Sequence, residues 1–214
     1  MEVPYFNPRL DVSATRHKLP HWQQGACPVM VNYRLSDSIP AEVLNEWRRE
    51  SGAFKASHPQ PWEESVEREY HERFTKPFER WLDSGHGCCA MRDGRVAQVV
   101  AGRLLHFNEV RYDLINFVVM PNHVHVLVSM RVGQLLPDIL QGWKGVSSGM
   151  IHKAGLSELE PFWQPDYFDR LIRNGEHFDA VMNYIRRNPV LAGLREGEYL
   201  YWEKPTAKAK EDST

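Results

Sequence analysis

The chain has 214 residues and a formal net charge of −2. That length suits one well-packed domain rather than two of ordinary size, and its 42% apolar and 25% charged residues exclude wholesale disorder. No run of about eighteen apolar residues offers a membrane span, and the N-terminus, with Glu2, Pro4 and Arg9, lacks the apolar core of a secretory signal, so a cytoplasmic location is expected.

The slightly acidic balance gives no global attraction to nucleic acid. Any DNA contact must therefore come from a local basic face. Cys27, Cys88 and Cys89 make an odd, partly adjacent set with no zinc spacing. They read as reduced, partly buried small hydrophobes.

Residues 1–25 are polar, contain proline and have no clean period, which predicts a flexible arm before a single domain at 26–203. Pro28 to Leu35 is rich in β-formers and stops at Ser36-Asp37-Ser38, a first strand. Pro40 suits the first position of a helix through Leu44 and Trp47. Beyond the break at His58–Pro61, Glu63 to Leu82 reads as a long charged helix, ended by Gly85-His86-Gly87. Cys88 to Met91 reads as a short second strand. Val96, Val99, Val100, Leu104 and Phe107 keep helical spacing.

Tyr112 to Met120 and His123 to Met130 are the clearest strands, close enough to pair as an antiparallel hairpin. Val132 to Lys153 reads as helix. Asn174 is a good N-cap for a last helix through Phe178, Met182 and Ile185 that ends near Asn188-Pro189. The tail from Lys204 to Thr214 reads as disordered. The predicted order β-α-β-α-β-β-α-α is that of an α+β domain, an antiparallel sheet with helices packed on it.

Side chains alternate along a strand, so His123 and His125 share one face while Val124, Val126 and Val128 share the other. Two imidazoles about 7 Å apart along the strand can close on one divalent ion. Two unliganded histidines are the alternative that spacing alone leaves open. On the last helix, Tyr184 and Asn188 are four residues apart and stack on one side, at the margin of the apolar stripe.

A tyrosine hydroxyl has a pKa near 10 and needs help to attack phosphorus. An ion held by His123, His125 and Asn188 could polarise a scissile phosphate beside Tyr184, leaving a 5′-phosphotyrosine and a free 3′-OH. A packing tyrosine and a helix-ending asparagine before proline are equally compatible with the pattern, and Tyr167 is the chief competing tyrosine.

Val118-Val119-Met120-Pro121-Asn122-His123-Val124-His125-Val126-Leu127 resembles the HUH signature of the single-tyrosine (Y1) transposases. Tyr184-Ile185-Arg186-Arg187-Asn188-Pro189-Val190 with Ala192-Gly193-Leu194 resembles the tyrosine helix of their REP-associated group. Trp163-Gln164, Phe168-Asp169-Arg170 and Ile172-Arg173 match the segment between, and Leu82-Asp83-x-Gly85-x-Gly87 is also similar. The likeness spans about residues 27–196 in the family's order.

It implies a compact HUH fold of ferredoxin-like type and magnesium or manganese as cofactor. It also implies single-stranded or hairpin DNA as partner, and a monomer or homodimer. By position, His123, His125 and Asn188 would be metal ligands and Tyr184 the nucleophile. Gly52 to Leu82 is longer than the minimal domain needs. Trp143, Lys144, Arg170, Arg173, Arg186 and Arg187 are candidate DNA contacts, Trp143 by stacking on an unpaired base and Arg187 by gripping a phosphate. The rival functions are a catalytically silent hairpin-binding protein and an unrelated H-x-H metallohydrolase using water as nucleophile.

Overall fold

A computed structural model describes residues 4–7, 9–10, 13–16, 20–59 and 62–205. Seven strands and six α-helices are described: β1 (Ser13–Arg16), β2 (Pro20–Gln23), β3 (Pro28–Arg34), α1 (Ala41–Ser57), α2 (Glu64–Tyr70), α3 (Lys76–Asp83), α4 (Gly94–Leu105), β4 (Tyr112–Val119), β5 (His123–Met130), α5 (Leu136–Lys153), β6 (Phe168–Leu171), α6 (Gly175–Leu191) and β7 (Leu200–Glu203). The main sheet is antiparallel throughout in the order β6-β3-β5-β4-β7, so the architecture is α+β. Among the described residues no helix is long and apolar enough to cross a membrane.

β5 is the central strand, and both of its faces are covered. Val124, Val126 and Val128 join Val29, Val31 and Tyr33 of β3 in an apolar layer beneath α4 and α5. The alternate residues face α6, where Leu127 packs with Val118, Val181 and Ile185. Burying Val181 and Ile185 contributes about 1.5–3 kcal/mol each, which fixes the α6 stripe on the sheet. The register places Asn32 opposite His125 and Arg34 opposite His123. Cross-strand partners share a face, so two strands send four polar side chains into the α6 layer.

Several expectations change. The segment read as a flexible arm contains the β1–β2 hairpin, and Phe6 N–H donates to Ile172 O at 2.9 Å. Gln23 caps the start of α5, its amide donating to Gln134 O at 2.7 Å and accepting from Leu136 N–H at 2.9 Å. In the predicted tail, Lys204 N–H donates to Ile115 O at 2.9 Å; residues 206–214 lie outside the described residues.

The strand expected at Cys88–Met91 is instead a 3-10 turn, Ala90–Arg92, because Cys89 takes φ of +50° and leaves extended geometry. The long charged helix is α2 and α3 joined by a π-helical turn at His71–Thr75. Asn174 caps α6 as expected, accepting from His177 N–H at 2.8 Å. That helix runs past Pro189 to Leu191, because a proline in the last turn sacrifices only one backbone donor. The strands β6 and β7 were not read from the sequence. All three cysteines are free, Cys27 buried but Cys88 exposed.

The loop after α3 depends on Gly87, at φ of +86°, where a Cβ would meet Asp37 O and Oδ1 at 2.7 Å. Asp37 Oδ2 in turn accepts from Cys88 N–H at 2.7 Å. Gly87→Ala combines an unfavourable φ with a collision against backbone, so the variant is expected to lose at least about 1 kcal/mol in urea unfolding. An unchanged midpoint would show that the loop yields freely.

Candidate active site

The two histidines of β5 are fully buried, at 0% exposure. Their Nε2 atoms stand 3.0 Å apart with the rings at 89° to one another. Burial holds both well below the usual imidazole range, His125 at about 3; at His123 the proximity of His125 and Arg34 acts in the same direction as burial. Both are therefore neutral at pH 7, the form in which imidazole binds a metal.

The neighbouring amides orient the rings. Asn122 Nδ2 donates to Leu82 O and His86 O, both at 3.1 Å, which turns its Oδ1 toward His123 Nδ1 at 2.8 Å. An acceptor there requires the proton on His123 Nδ1 and leaves a lone pair on Nε2. Asn32 Nδ2 lies 3.3 Å from His125 Nδ1, and Asn32 Oδ1 is buried without a partner. Turning that amide end for end gives His125 Nδ1–H an acceptor and frees its Nε2 as well.

From α6, the ring of Tyr184 stands edge-on to His125, centroids 5.3 Å apart at 83°. Its hydroxyl is buried without a closed hydrogen bond. One turn on, Asn188 is 1% exposed and neither amide atom has a partner. Polar groups left in this state cost about 1–3 kcal/mol each, so the cluster is arranged for something other than stability.

An acidic pair from α3 completes the site: Glu79 lies within the stretch Gly52 to Leu82, to which the sequence assigned no role, and Asp83 directly follows it. Burial pushes Glu79 up to about 7, with help from Asp83; Asp83 itself rises to about 6 through burial alone. Asp83 Oδ1, buried and without a hydrogen bond, is 3.7 Å from His123 Nε2. This is not an ion pair, because burial keeps the imidazole neutral. Burial drives Tyr184 far above the ordinary tyrosine value, and the charges of Glu79 and Asp83 drive it further, while Asn188 acts weakly in the opposite sense.

A divalent ion fits these donors. Two imidazole nitrogens bonded to one ion at about 2.0–2.1 Å can stand at most about 4.2 Å apart, and 3.0 Å lies inside that limit. Among the described residues no three His, Cys, Asp or Glu side chains form a metal-holding group. The histidine pair would have to draw on the unpartnered amide of Asn188, and an oxygen donor widens the choice toward magnesium and manganese.

Residues 99–188, from α4 to Asn188, match the family described as transposase, IS200-like. An Escherichia coli (strain K12) protein named REP-associated tyrosine transposase is 28% identical over 82 residues, 38% of this chain and 47% of its own length. An uncharacterized Haemophilus influenzae (strain Rd) protein is 32% identical over 108 residues, 41% of this chain and 58% of its own. The chain thus spans about half the length of these curated relatives. Among solved structures, a REP-associated tyrosine transposase bound to a REP hairpin aligns with TM-score 0.43 and 14% identity, covering 85% of this chain and 77% of its own.

Within the transposase-like segment, the structure brings His123, His125 and Tyr184 together, with Asn188 one turn along the same helix. The expected buried stripe of Phe178, Met182 and Ile185 shifts to Val181, Ile185, Asn188 and Pro189. Tyr167 packs in the other layer, beneath α5.

The expected DNA contacts fare unevenly. Trp143 is a correction: it is 3% exposed and donates to the Tyr112 hydroxyl at 2.9 Å, so it is a core residue that cannot stack on a base. Arg186 is tied to Glu203 at 2.9 Å, and Arg173 to Glu67. Arg170 also pairs with Glu67, at 3.4 Å. Lys144 donates to Pro165 O at 2.8 Å and is held at about 8 by burial. Arg187 is exposed beyond Tyr184.

The sign for Glu79 follows from its raised value: protonation favours the fold below its ordinary 4.5, and that contribution is lost as pH rises through about 7. Glu79→Gln escapes the loss. In metal-free melts, the melting temperature of the variant minus that of the wild type is expected to climb between pH 4.5 and 7 and then level off. A constant difference would place Glu79 in water.

Proposed function

We propose that this chain is a metal-dependent, single-tyrosine nuclease and strand transferase of the HUH type, acting on single-stranded DNA beside a hairpin. The observation that carries the proposal is Tyr184 standing edge-on to a neutral histidine pair whose Nε2 atoms are 3.0 Å apart. The family match and the name of the E. coli relative support DNA as the substrate. Hairpin DNA of the REP kind is what the motif resemblance implies.

His123, His125 and Asn188 would hold the cation. Bound there, it would polarise the scissile phosphate and offset charge in the transition state. The residues of the chain account for the rest. Burial keeps Tyr184 protonated until substrate arrives, which suppresses adventitious nucleophilic attack. Glu79, beside that hydroxyl, is the acceptor able to take its proton at neutral pH.

The phenolate oxygen then forms a bond to phosphorus as the bond to the 3′-oxygen breaks, and the released 3′-oxygen takes a proton from solvent. One phosphodiester linkage is exchanged for another, so a 3′-OH can reverse the step and rejoin a strand. Sitting on α6 rather than on a loop, Tyr184 is held in position by the Val181 and Ile185 stripe.

On a 3′-labelled hairpin oligonucleotide with a single-stranded flank and manganese, the wild type is expected to leave a covalent protein–DNA band on denaturing gels. Tyr184→Phe should abolish that band while binding stays within about twofold. His125→Ala should abolish it together with manganese-dependent thermal stabilisation. Cleavage retained by the Phe variant would assign water as the nucleophile. Binding without any adduct in the wild type would reduce the protein to a silent hairpin binder.

A further inference from the structure

Two arginines leading into the tyrosine helix share one carboxylate. Glu67 of α2 accepts from Arg170 at 3.4 Å and pairs with Arg173 as well. Arg170 of β6 lies opposite Met30 of β3, as Phe168 lies opposite Asn32, so it stands on the sheet face that carries His125. Its charge reaches Glu79, the carboxyl beside the Tyr184 hydroxyl. Arg173 directly precedes the cap of α6, and its backbone N–H donates to His177 Nδ1 at 3.2 Å. His177 lies two turns before Tyr184 on the same edge of that helix, about 10 Å along it. Guanidinium forks gathered on a carboxylate are equally suited to the oxygens of a phosphate.

The element that supplies Glu67 is lightly held. α2 has seven residues, too few to persist alone, and none of its described side chains is fully buried. At one end Tyr70 packs against Trp62 and Phe74, with ring centroids 4.8 and 5.1 Å away. In the middle, the Glu67 pairs fasten it to β6 and to the loop before α6. The side chains of Arg170 and Arg173 are 43% and 42% exposed, and ion pairs so open to water are weak. α2 joins α3 through the π-helical turn His71–Thr75, a geometry that recurs at functional sites. A short helix fastened in this way can leave its seat without disturbing the core.

We infer that Glu67 stands in for a DNA phosphate, and that α2 is a strap which the strand displaces from Arg170 and Arg173 on its way to Tyr184. The inference rests on the proposed DNA-processing function and deepens it by naming what controls access to the site. Every DNA must first break the same pairs, so a strand with few other contacts is rejected while one anchored elsewhere by a hairpin succeeds. The strap gives a role to the stretch between Gly52 and Leu82. It also accounts for a chain of net charge −2 whose arginines beside the tyrosine helix are quenched until DNA arrives.

Hydrogen exchange read by mass spectrometry, with and without a hairpin carrying a single-stranded thymidine flank, tests the strap directly. Amides of α2 are expected to exchange faster once DNA is bound, while those of β6 and α6 slow. Glu67→Gln should show the faster α2 exchange without DNA, and should bind the flanked hairpin about threefold or more tightly by fluorescence polarisation. Glu69→Gln removes the same charge from α2, but Glu69 pairs with Arg73 at 2.8 Å, so it should change neither reading. In an Arg170→Ala/Arg173→Ala background, Glu67→Gln should no longer tighten binding.

Slower or unchanged exchange of α2 on DNA binding, with a Tyr184-dependent adduct still formed, would overturn the strap and leave the proposed function standing. Equal tightening by Glu67→Gln and Glu69→Gln would reduce the effect to overall charge and overturn it too. Absence of any DNA binding by the wild type would overturn both.

Discussion

A central strand covered on both faces can carry histidine only if the imidazoles stay uncharged, and that constraint organises the rest of the molecule. Alternation along β5 sends its valines to one layer and His123 and His125 to the other, where neither ring reaches water. Charging either one there would cost several kcal/mol, so each must be satisfied as a neutral ring. Asn122, pinned between two backbone carbonyls at the end of α3, forces the tautomer that bares His123 Nε2. The loop set by Gly87 and Asp37 therefore matters to the chemistry although it lies outside the site.

Around this neutral pair the charged groups divide by side. Glu79 and Asp83 approach from α3 and raise the tyrosine hydroxyl, while Arg34, opposite His123 on the neighbouring strand β3, adds to the depression of His123. A cation among the imidazoles would relieve the two carboxyls and the phenol together. That is the physical sense in which the unpartnered atoms of Asp83, Tyr184 and Asn188 belong to one site rather than to three packing defects. The cost of keeping them unsatisfied falls on α6 and α3, whose apolar stripes are anchored in separate clusters of the core.

Much of this was legible in the sequence because it depended on local period. The His-x-His alternation, the hairpin between β4 and β5, and the four-residue spacing of Tyr184 and Asn188 all follow from strand and helix geometry. What was missed depended on tertiary context. The strands β6 and β7 are four residues each, defined by the partners they zip onto rather than by any alternation of their own. The run Cys88–Met91 has strand-forming residues, yet left-handed backbone at Gly87 and Cys89 turns it away. Glu79 and Asp83 are visibly one turn apart, but nothing local says that their face meets β5. Trp143 beside Lys144 suggested a stacking platform, whereas the apolar stripe of α5 claims it for the core.

The account stands on two histidines sharing one cation. Electron spin echo envelope modulation of the manganese-loaded protein tests this directly, because it detects nitrogen bound to the ion. The prediction is modulation from two imidazole nitrogens, reduced to one in His123→Ala. A spectrum free of imidazole nitrogen, with manganese bound elsewhere, would contradict the shared site.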